Sequence, residues 1–539
     1  MKARRGEEIA AFEDRTTACG IPMPSVAGPE HVGNELDNRL GRPGEFPFTR
    51  GIRPTMYRER PWAIRQLAGF GTARDTNQRY RLLLEQGATA VNGVFDYPSL
   101  RAFDSDDPLA VPDVGRGGVA VDLREDFDDL FAGIPLESVS VSLVSSQPIG
   151  AVPHLAMFVR SAEGRGIDRR ALSGTSQNDF LMETAITIAP RALPPVASFR
   201  LECDLAEWVI AEMPRWNPVS VSGYNYREAG ADAPLEMALT LAHGQAVARE
   251  LLSRGVEAHR ALPRLTFFLD AHNDFLEEIA KFRACRRMWA YWVRDVLGIH
   301  DPACQRFRFH VQTSGVTAVS RHVHVNIARS ALQALAAVLG GTQSLHINGY
   351  DEALSIPSEH AALTALRTQY VLLHESGVAS SADPLGGSYL LEHLTDAIEE
   401  RARDLIDQID GLGGVVAATE RGWVHGELSR RAFDYQRRIE TGEQLVVGLN
   451  TQLEGDEEQL QMFELPAGAL EAQRARLHSA RSGRDTSRLA AALAALGDAC
   501  SSGENVMPAT LSAVDAGASL GEIGETFRSA FGSWEFPLW

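Results

Sequence analysis

Apolar and polar positions follow two rhythms over most of this chain. Short apolar runs recur about every 35 to 50 residues, and longer stretches rich in Ala, Leu, Glu and Arg lie between them. The runs that predict strands are 90–95, 138–144, 219–222, 265–269, 307–312 and 344–347. Helices are predicted over 235–253, 274–296 and 325–339. Strand and helix alternating for roughly 350 residues predicts a parallel α/β fold, and the length suits a (β/α)8 TIM barrel better than an open sheet. A polar arm with Gly and Pro precedes residue 45. After about residue 395 the strand rhythm stops, and helices are predicted at 394–408 and, as one long element, at 465–496. The expected division is an N-terminal arm (1–45), a barrel (46–395) and a mainly helical C-terminal extension (396–539).

Composition narrows the function. The 539 residues are 44% hydrophobic with mean hydropathy −0.15, enough for a large core. No apolar run approaches a membrane span, and the opening Met1-Lys2-Ala3-Arg4-Arg5-Gly6-Glu7-Glu8 lacks the apolar centre of a signal peptide, so a cytoplasmic protein with no membrane contact is expected. A net charge of −19, from 71 acidic and 52 basic residues, argues against nucleic-acid binding. The cysteines Cys19, Cys203, Cys285, Cys304 and Cys500 form no C-x-x-C pair, which favours reduced thiols. The only lysines are Lys2 and Lys281, and Lys281 falls in a helix-like run, so Schiff-base chemistry is not expected. His322 and His324 lack a carboxylate at ligand spacing, so no metal site is expected from them.

The densest chemistry lies in Arg53-Pro54-Thr55-Met56-Tyr57-Arg58-Glu59-Arg60-Pro61-Trp62-Ala63-Ile64-Arg65-Gln66-Leu67. Guanidinium forks match phosphate oxygens, and the apolar residues between them suit a long thin ligand arm. This stretch closely resembles the opening of the catalytic domain in the methylmalonyl-CoA mutase family, the adenosylcobalamin-dependent acyl-CoA mutases. The likeness continues in order through Phe103–Pro108, Asp113–Gly115, Gly174–Asp179, Ser222–Gly230, Pro263–Phe268, His310–Gly315, Gly341–His346 and Asp383–Ser388.

The resemblance implies a barrel, an isomerase activity and a set of roles. Thr55, Met56, Arg60, Arg65 and Arg264 would hold the coenzyme A phosphates and pantetheine, with Ser140, Ser142 and Thr266 as lesser contacts. Arg53 and Ala63 replace the family's Tyr and Thr. Gln177 and Gln312 would line the acyl pocket, and Tyr224, Asn225 and Gln312 would serve catalysis. Glu228, Glu352 and Gln343 would face adenosylcobalamin. Tyr224 and Asn225, His310 and Gln312, and Gln343 and His346 all fall at or after predicted strand ends, where barrel enzymes place their chemistry.

Three positions bear on the substrate. Methylmalonyl-CoA mutases carry Tyr where this chain has Leu67 and Arg where it has Thr187, and those groups bind the free carboxylate. Isobutyryl-CoA mutases carry Phe and Gln there. Hydroxyisobutyryl enzymes add an Asp that aligns with Val94. Leu67, Val94 and Thr187 suit an uncharged, branched acyl group of isobutyryl or butyryl type or larger. A further departure is Asn225 in place of the family's His, which keeps a hydrogen-bond donor but loses acid chemistry. The cobalamin motif D-x-H-x-x-G is absent. The nearest string, Asp270-Ala271-His272, lacks the glycine and follows a predicted strand. The resemblance therefore implies the large subunit of the two-subunit isobutyryl-CoA and 2-hydroxyisobutyryl-CoA mutase type, with a small cobalamin-binding subunit supplying the cobalt ligand, a heterotetramer, and a G-protein chaperone as a further candidate partner. Methylmalonyl-, ethylmalonyl- or hydroxyisobutyryl-CoA mutase activity, or a silent coenzyme A-binding subunit, stand as alternatives.

Overall fold

The computed structural model describes residues 16–187, 189–454 and 464–536. Nine parallel strand segments form one sheet: β1 (Ala63–Ala68), β2 (Ala90–Val94), β3 (Ser140–Ser146), β4 (Gly174–Asn178), β5 (Trp216–Asn217), β6 (Val219–Ser222), β7 (Leu265–Ala271), β8 (Phe309–Thr313) and β9 (Ser344–His346). Their order is β5–β4–β3–β2–β1–β9–β8–β7–β6. The two ends of this sheet, β5 and β6, are separated in sequence only by Pro218, which has no N–H to give to a ladder. They are two halves of one stave: β5 pairs with β4 and β6 pairs with β7, so the nine segments make the eight positions of a barrel.

Six expected strands are present, 219–222 with the ends expected and the other five with shifted ends. β1, β4 and β5 were not among them, for a physical reason. β4 reads Gly-Thr-Ser-Gln-Asn, with no apolar residue, yet every position is buried. One face points out of the barrel, where Ser176 Oγ accepts from Nε1 of Trp216 in β5 at 3.0 Å and Asn178 Nδ2 donates to the carbonyl of Glu202 in helix Pro195–Glu212 at 3.1 Å. The other face, Thr175 and Gln177, meets the barrel axis. β1 likewise turns Arg65 inward. Barrel interiors are ordinarily filled by branched aliphatics. Here Arg65, Asn92, Ser142, Gln177, Ser220, Thr266 and His310 line the axis instead and leave a polar cavity of about 480 Å³.

The outer layer includes Ala73–Glu85, Pro148–Gly164, Pro195–Glu212, Ala233–Ser253, Phe275–Tyr291, Val325–Leu339 and Glu359–His374. Caps set their starts: Asp232 accepts from Leu235 N, and Asp274 accepts from Glu277 N, so the helix predicted from 274 starts one residue later, at Phe275. Helix Tyr389–Gly411 runs through the expected 395/396 boundary and packs on Phe275–Tyr291 and Ala233–Ser253. Buried ion pairs of Arg283 with Asp383 and Glu392, and of Arg287 with Asp396 and Glu399, tie it there. The single helix predicted at 465–496 is two, Ala469–Ser482 and Thr486–Ser502, because Gly483 interrupts and Asp485 caps the second through Ser487 N and Arg488 N. Among the described residues no helix is long and apolar enough to cross a membrane.

Candidate active site

The axial cavity begins at the N-terminal ends of the strands, among Arg53, Arg60, Arg65 and Arg308. None of the four forms a salt bridge with a described residue. Burial lowers Arg65 to about 10, with Arg308 adding repulsion, and burial followed by the charges of Arg53 and Arg60 lowers Arg308. Guanidinium groups gathered at one cavity with no salt bridge to a described residue suit an anion, and their planar forks match phosphate. Above them Arg65 Nη2 donates to Ser140 Oγ at 2.9 Å, and Ser142, Gln177 and Thr266 line the walls.

Several expected contacts sit elsewhere. Arg264 turns away and donates to the carbonyls of Val209, Ile210, Met213 and Trp216, closing the C-terminal end of helix Pro195–Glu212. Arg308, which the sequence reading missed two residues before His310, stands at the cavity instead. Met56 is 3% exposed in the core, and Thr55 lies on an exposed turn outside the cavity wall. Gln343, expected at the cofactor, lies just before β9 at the arginine end. Its amide bonds Phe309 N at 2.9 Å and the Gly341 carbonyl at 2.7 Å. His310 is the second residue of β8 and also faces the lower half, with Nδ1 at 2.8 Å from Ser344 Oγ.

At the C-terminal ends, β6 passes directly into helix Gly223–Glu228. Only glycine fits at 223, where a β-carbon would come within 2.4 Å of Thr240 Oγ1 and 2.8 Å of Leu269. The helix places Tyr224, Asn225 and Glu228 at the mouth. The Tyr224 ring stacks on Phe268 at 4.8 Å, and its hydroxyl accepts from Gln312 Nε2 at 2.9 Å. Gln312 also donates to Asn348 Oδ1 at 2.9 Å, and Thr313 in turn orients Asn348. Burial, then Glu228 and Glu352, push the phenol well above its ordinary value, so it stays neutral. Asn225 Oδ1 accepts from the Ser222 hydroxyl, and its Nδ2 has no partner among the described residues. Glu228 accepts from Ser314 Oγ, Gly315 N and Val316 N, fixing the loop after β8. The Glu352 carboxyl has no partner among the described residues, and burial together with Glu228 raises it to about 8.

Beneath this helix lies a buried network the sequence reading did not identify, although Asp179 closes one of its motifs. Asp179 Oδ2 accepts from Ser222 N and from the Tyr226 hydroxyl, both at 2.7 Å. The His243 ring lies at 3.2 Å from that hydroxyl and at 2.9 Å from Glu202. Burial opposes a charge on His243, but Glu202 and Asp179 outweigh it and raise the imidazole to about 10. A histidine raised in the folded state contributes stability that is whole below its unfolded value of about 6.5 and is lost as pH rises through about 10. The wild type should therefore lose melting temperature more steeply between pH 7 and 10 than His243→Gln. Parallel profiles in differential scanning calorimetry would contradict the charged imidazole.

The three expected selectivity positions lie on one arc of this mouth. Leu67 in β1 pairs in register with Asn92 of β2, and Val94 ends β2 opposite Val144 of β3. Thr187 follows the turn after β4; its hydroxyl donates to the Met182 carbonyl at 2.8 Å and accepts from Gln147 Nε2 at 3.0 Å. His346 accepts from Leu67 N at 3.2 Å, and burial lowers it to about 3, so it is a neutral support. His272 is buried after β7 with Nδ1 unpartnered, edge-on to Tyr435 at 5.9 Å.

The family model for methylmalonyl-CoA mutase matches residues 16–533. The 2-hydroxyisobutanoyl-CoA mutase large subunit of Aquincola tertiaricarbonis is 40% identical over 503 residues, covering 93% of this chain and 89% of that one. Methylmalonyl-CoA mutase of Cereibacter sphaeroides is 40% identical over 520 residues, 95% of this chain and 72% of its own length. The probable mitochondrial methylmalonyl-CoA mutase of Caenorhabditis elegans is 38% identical over 531 residues, 98% and 71%. With a parallel barrel, an arginine-rimmed polar axis and family matches over nearly its whole length, this chain belongs to the methylmalonyl-CoA mutase family of isomerases.

Proposed function

We propose that this chain is the substrate-binding large subunit of an adenosylcobalamin-dependent acyl-CoA mutase whose acyl group carries no free carboxylate. The observation that carries the reading is the polar axial cavity, rimmed by four arginines that form no salt bridge with a described residue, in the same barrel whose opposite strand ends hold Asn225, with an amide N–H unpartnered among the described residues. Arg53, Arg60, Arg65 and Arg308 hold the phosphates. Ser140, Ser142 and Gln177 guide the pantetheine. Leu67, Val94 and Thr187 receive the acyl chain, and Asn225 Nδ2 donates to the thioester carbonyl as it moves to the neighbouring carbon.

The donor set at the mouth fits adenosylcobalamin. Glu352 is a half-buried carboxyl with no hydrogen bond among the described residues, suited to ribose hydroxyls, and Glu228 beside it is already fixed by the loop after β8. Adenosylcobalamin, when bound, supplies the radical that takes hydrogen from the acyl group. The walls of the cavity exclude water from the reacting carbons, and Tyr224, held by Gln312, covers them. The Aquincola relative is named a large subunit, which supports a separate small cobalamin-binding partner here.

The test combines binding and turnover. Isobutyryl- and butyryl-CoA should bind the chain in calorimetry, with Arg308→Ala weakening affinity about ten- to a hundredfold, the worth of a charge-assisted bond. Adding adenosylcobalamin and the small subunit should then yield the isomeric acyl-CoA. Absence of coenzyme A binding would end this reading. Binding without turnover across the acyl panel would favour the silent-subunit alternative, to which the Asn225 replacement points.

A further inference from the structure

We infer that Ser222 is a positioning residue that sets which way the Asn225 amide faces, and so makes a neutral side chain serve as a one-directional donor to the thioester carbonyl. The inference rests on the catalytic reading of Asn225 above and goes beyond it by naming what orients the group.

An asparagine amide has two faces of nearly equal shape and opposite polarity. With Nδ2 toward the cavity, Asn225 gives a proton to the thioester oxygen. With Oδ1 toward the cavity it sets one acceptor against another and withdraws polarisation. Shape alone does not choose between these states. The Ser222 hydroxyl does. It is 2% exposed, and its only hydrogen bond among the described residues goes to Asn225 Oδ1. If the amide flipped, Ser222 Oγ would accept from Nδ2 and its own proton would be stranded in a buried site, a loss that biases the equilibrium strongly toward the productive face.

Ser222 is itself held against movement. Its N–H donates to Asp179 Oδ2 at 2.7 Å, and the same oxygen accepts from Tyr226 at 2.7 Å. Asp179 Oδ1 also accepts from Leu181 N and Met182 N at 2.9 and 3.2 Å. One carboxylate thus joins the end of β4 to the end of β6, and Gly223 presses the helix start onto β7. Orientation passes from this frame through Ser222 to the amide.

The readout is the infrared stretch of a 13C-labelled thioester carbonyl in butyryl-CoA bound to the chain, which reports polarisation without requiring turnover. The wild type should lower this frequency relative to free butyryl-CoA. Ser222→Ala should return at least half of the shift, and Ser222→Thr, which keeps the hydroxyl, should retain it. In an Asn225→Ala background, Ser222→Ala should change nothing further. In turnover with the partner subunit, Ser222→Ala should lower kcat about fivefold with KM unchanged, the worth of about one neutral hydrogen bond. A wild-type shift abolished by Asn225→Ala but untouched by Ser222→Ala overturns the positioning role, as does an equal Ser222→Ala effect in both backgrounds. A shift unaffected by Asn225→Ala overturns the underlying reading of Asn225 instead.

Discussion

Asn225→Ala, assayed with adenosylcobalamin and the small subunit, is expected to lower kcat by about 10²–10³ while acyl-CoA affinity changes little. Removing one preorganised donor from a developing oxyanion carries that penalty. In the proposed binding mode affinity rests on Arg53, Arg60, Arg65 and Arg308 at the opposite strand ends, which the substitution does not touch. The split between kcat and KM is the diagnostic: loss of an interaction made mainly in the transition state leaves binding intact. Asn225→His should be tolerated, since it restores the residue that the family resemblance implies and keeps a hydrogen-bond donor there. Equal kcat for the wild type and Asn225→Ala would remove the amide from the chemistry.

The second large effect concerns the acyl group. Methylmalonyl-CoA is expected to be used at least about a hundredfold less efficiently than isobutyryl- or butyryl-CoA, measured as kcat/KM, because a desolvated carboxylate without a cation costs several kcal/mol. Thr187 offers no compensation, since its hydroxyl is already committed to the Met182 carbonyl and to Gln147. Joint replacement Leu67→Tyr and Thr187→Arg should narrow the preference by about tenfold or more, with the gain confined to the carboxylated substrate. Equal efficiency in the wild type would require a cation from elsewhere, and would turn attention to Arg79, which shares a small cavity with Leu67 and stacks on Phe70.

The barrel was legible in strands that form a continuous apolar run, as in Leu265–Ala271, all seven positions of which are buried, and not in β1, where Arg65 and Gln66 break the run. It was illegible in Gly174–Asn178, because a strand buried between polar helix contacts and a polar axis needs no hydrophobic residue. The motifs located the mouth, yet resemblance carried Arg264 to the phosphates when its guanidinium closes a helix end, and Arg308 passed unnoticed inside an apolar strand run. Gln343 was placed by motif alone, but strand direction decides which end of a barrel a residue serves, and it precedes its strand. The network of Asp179, Tyr226, His243 and Glu202 draws on four separated segments, and only the folded chain brings them together.

The open axis turns the barrel into a ruler. Strands of five to seven residues such as β3 and β8 span about 20 Å along their length at the usual rise per residue, and in the proposed binding mode that span sets the arginine rim apart from the Asn225 amide. An acyl group reaches Asn225 in register only on a tether of matching length whose far end is anchored. A thioester on a truncated carrier that lacks the phosphate end would keep its reactive carbon and lose its place along the scale. Handle length, as much as acyl shape, is thereby written into the height of the strands.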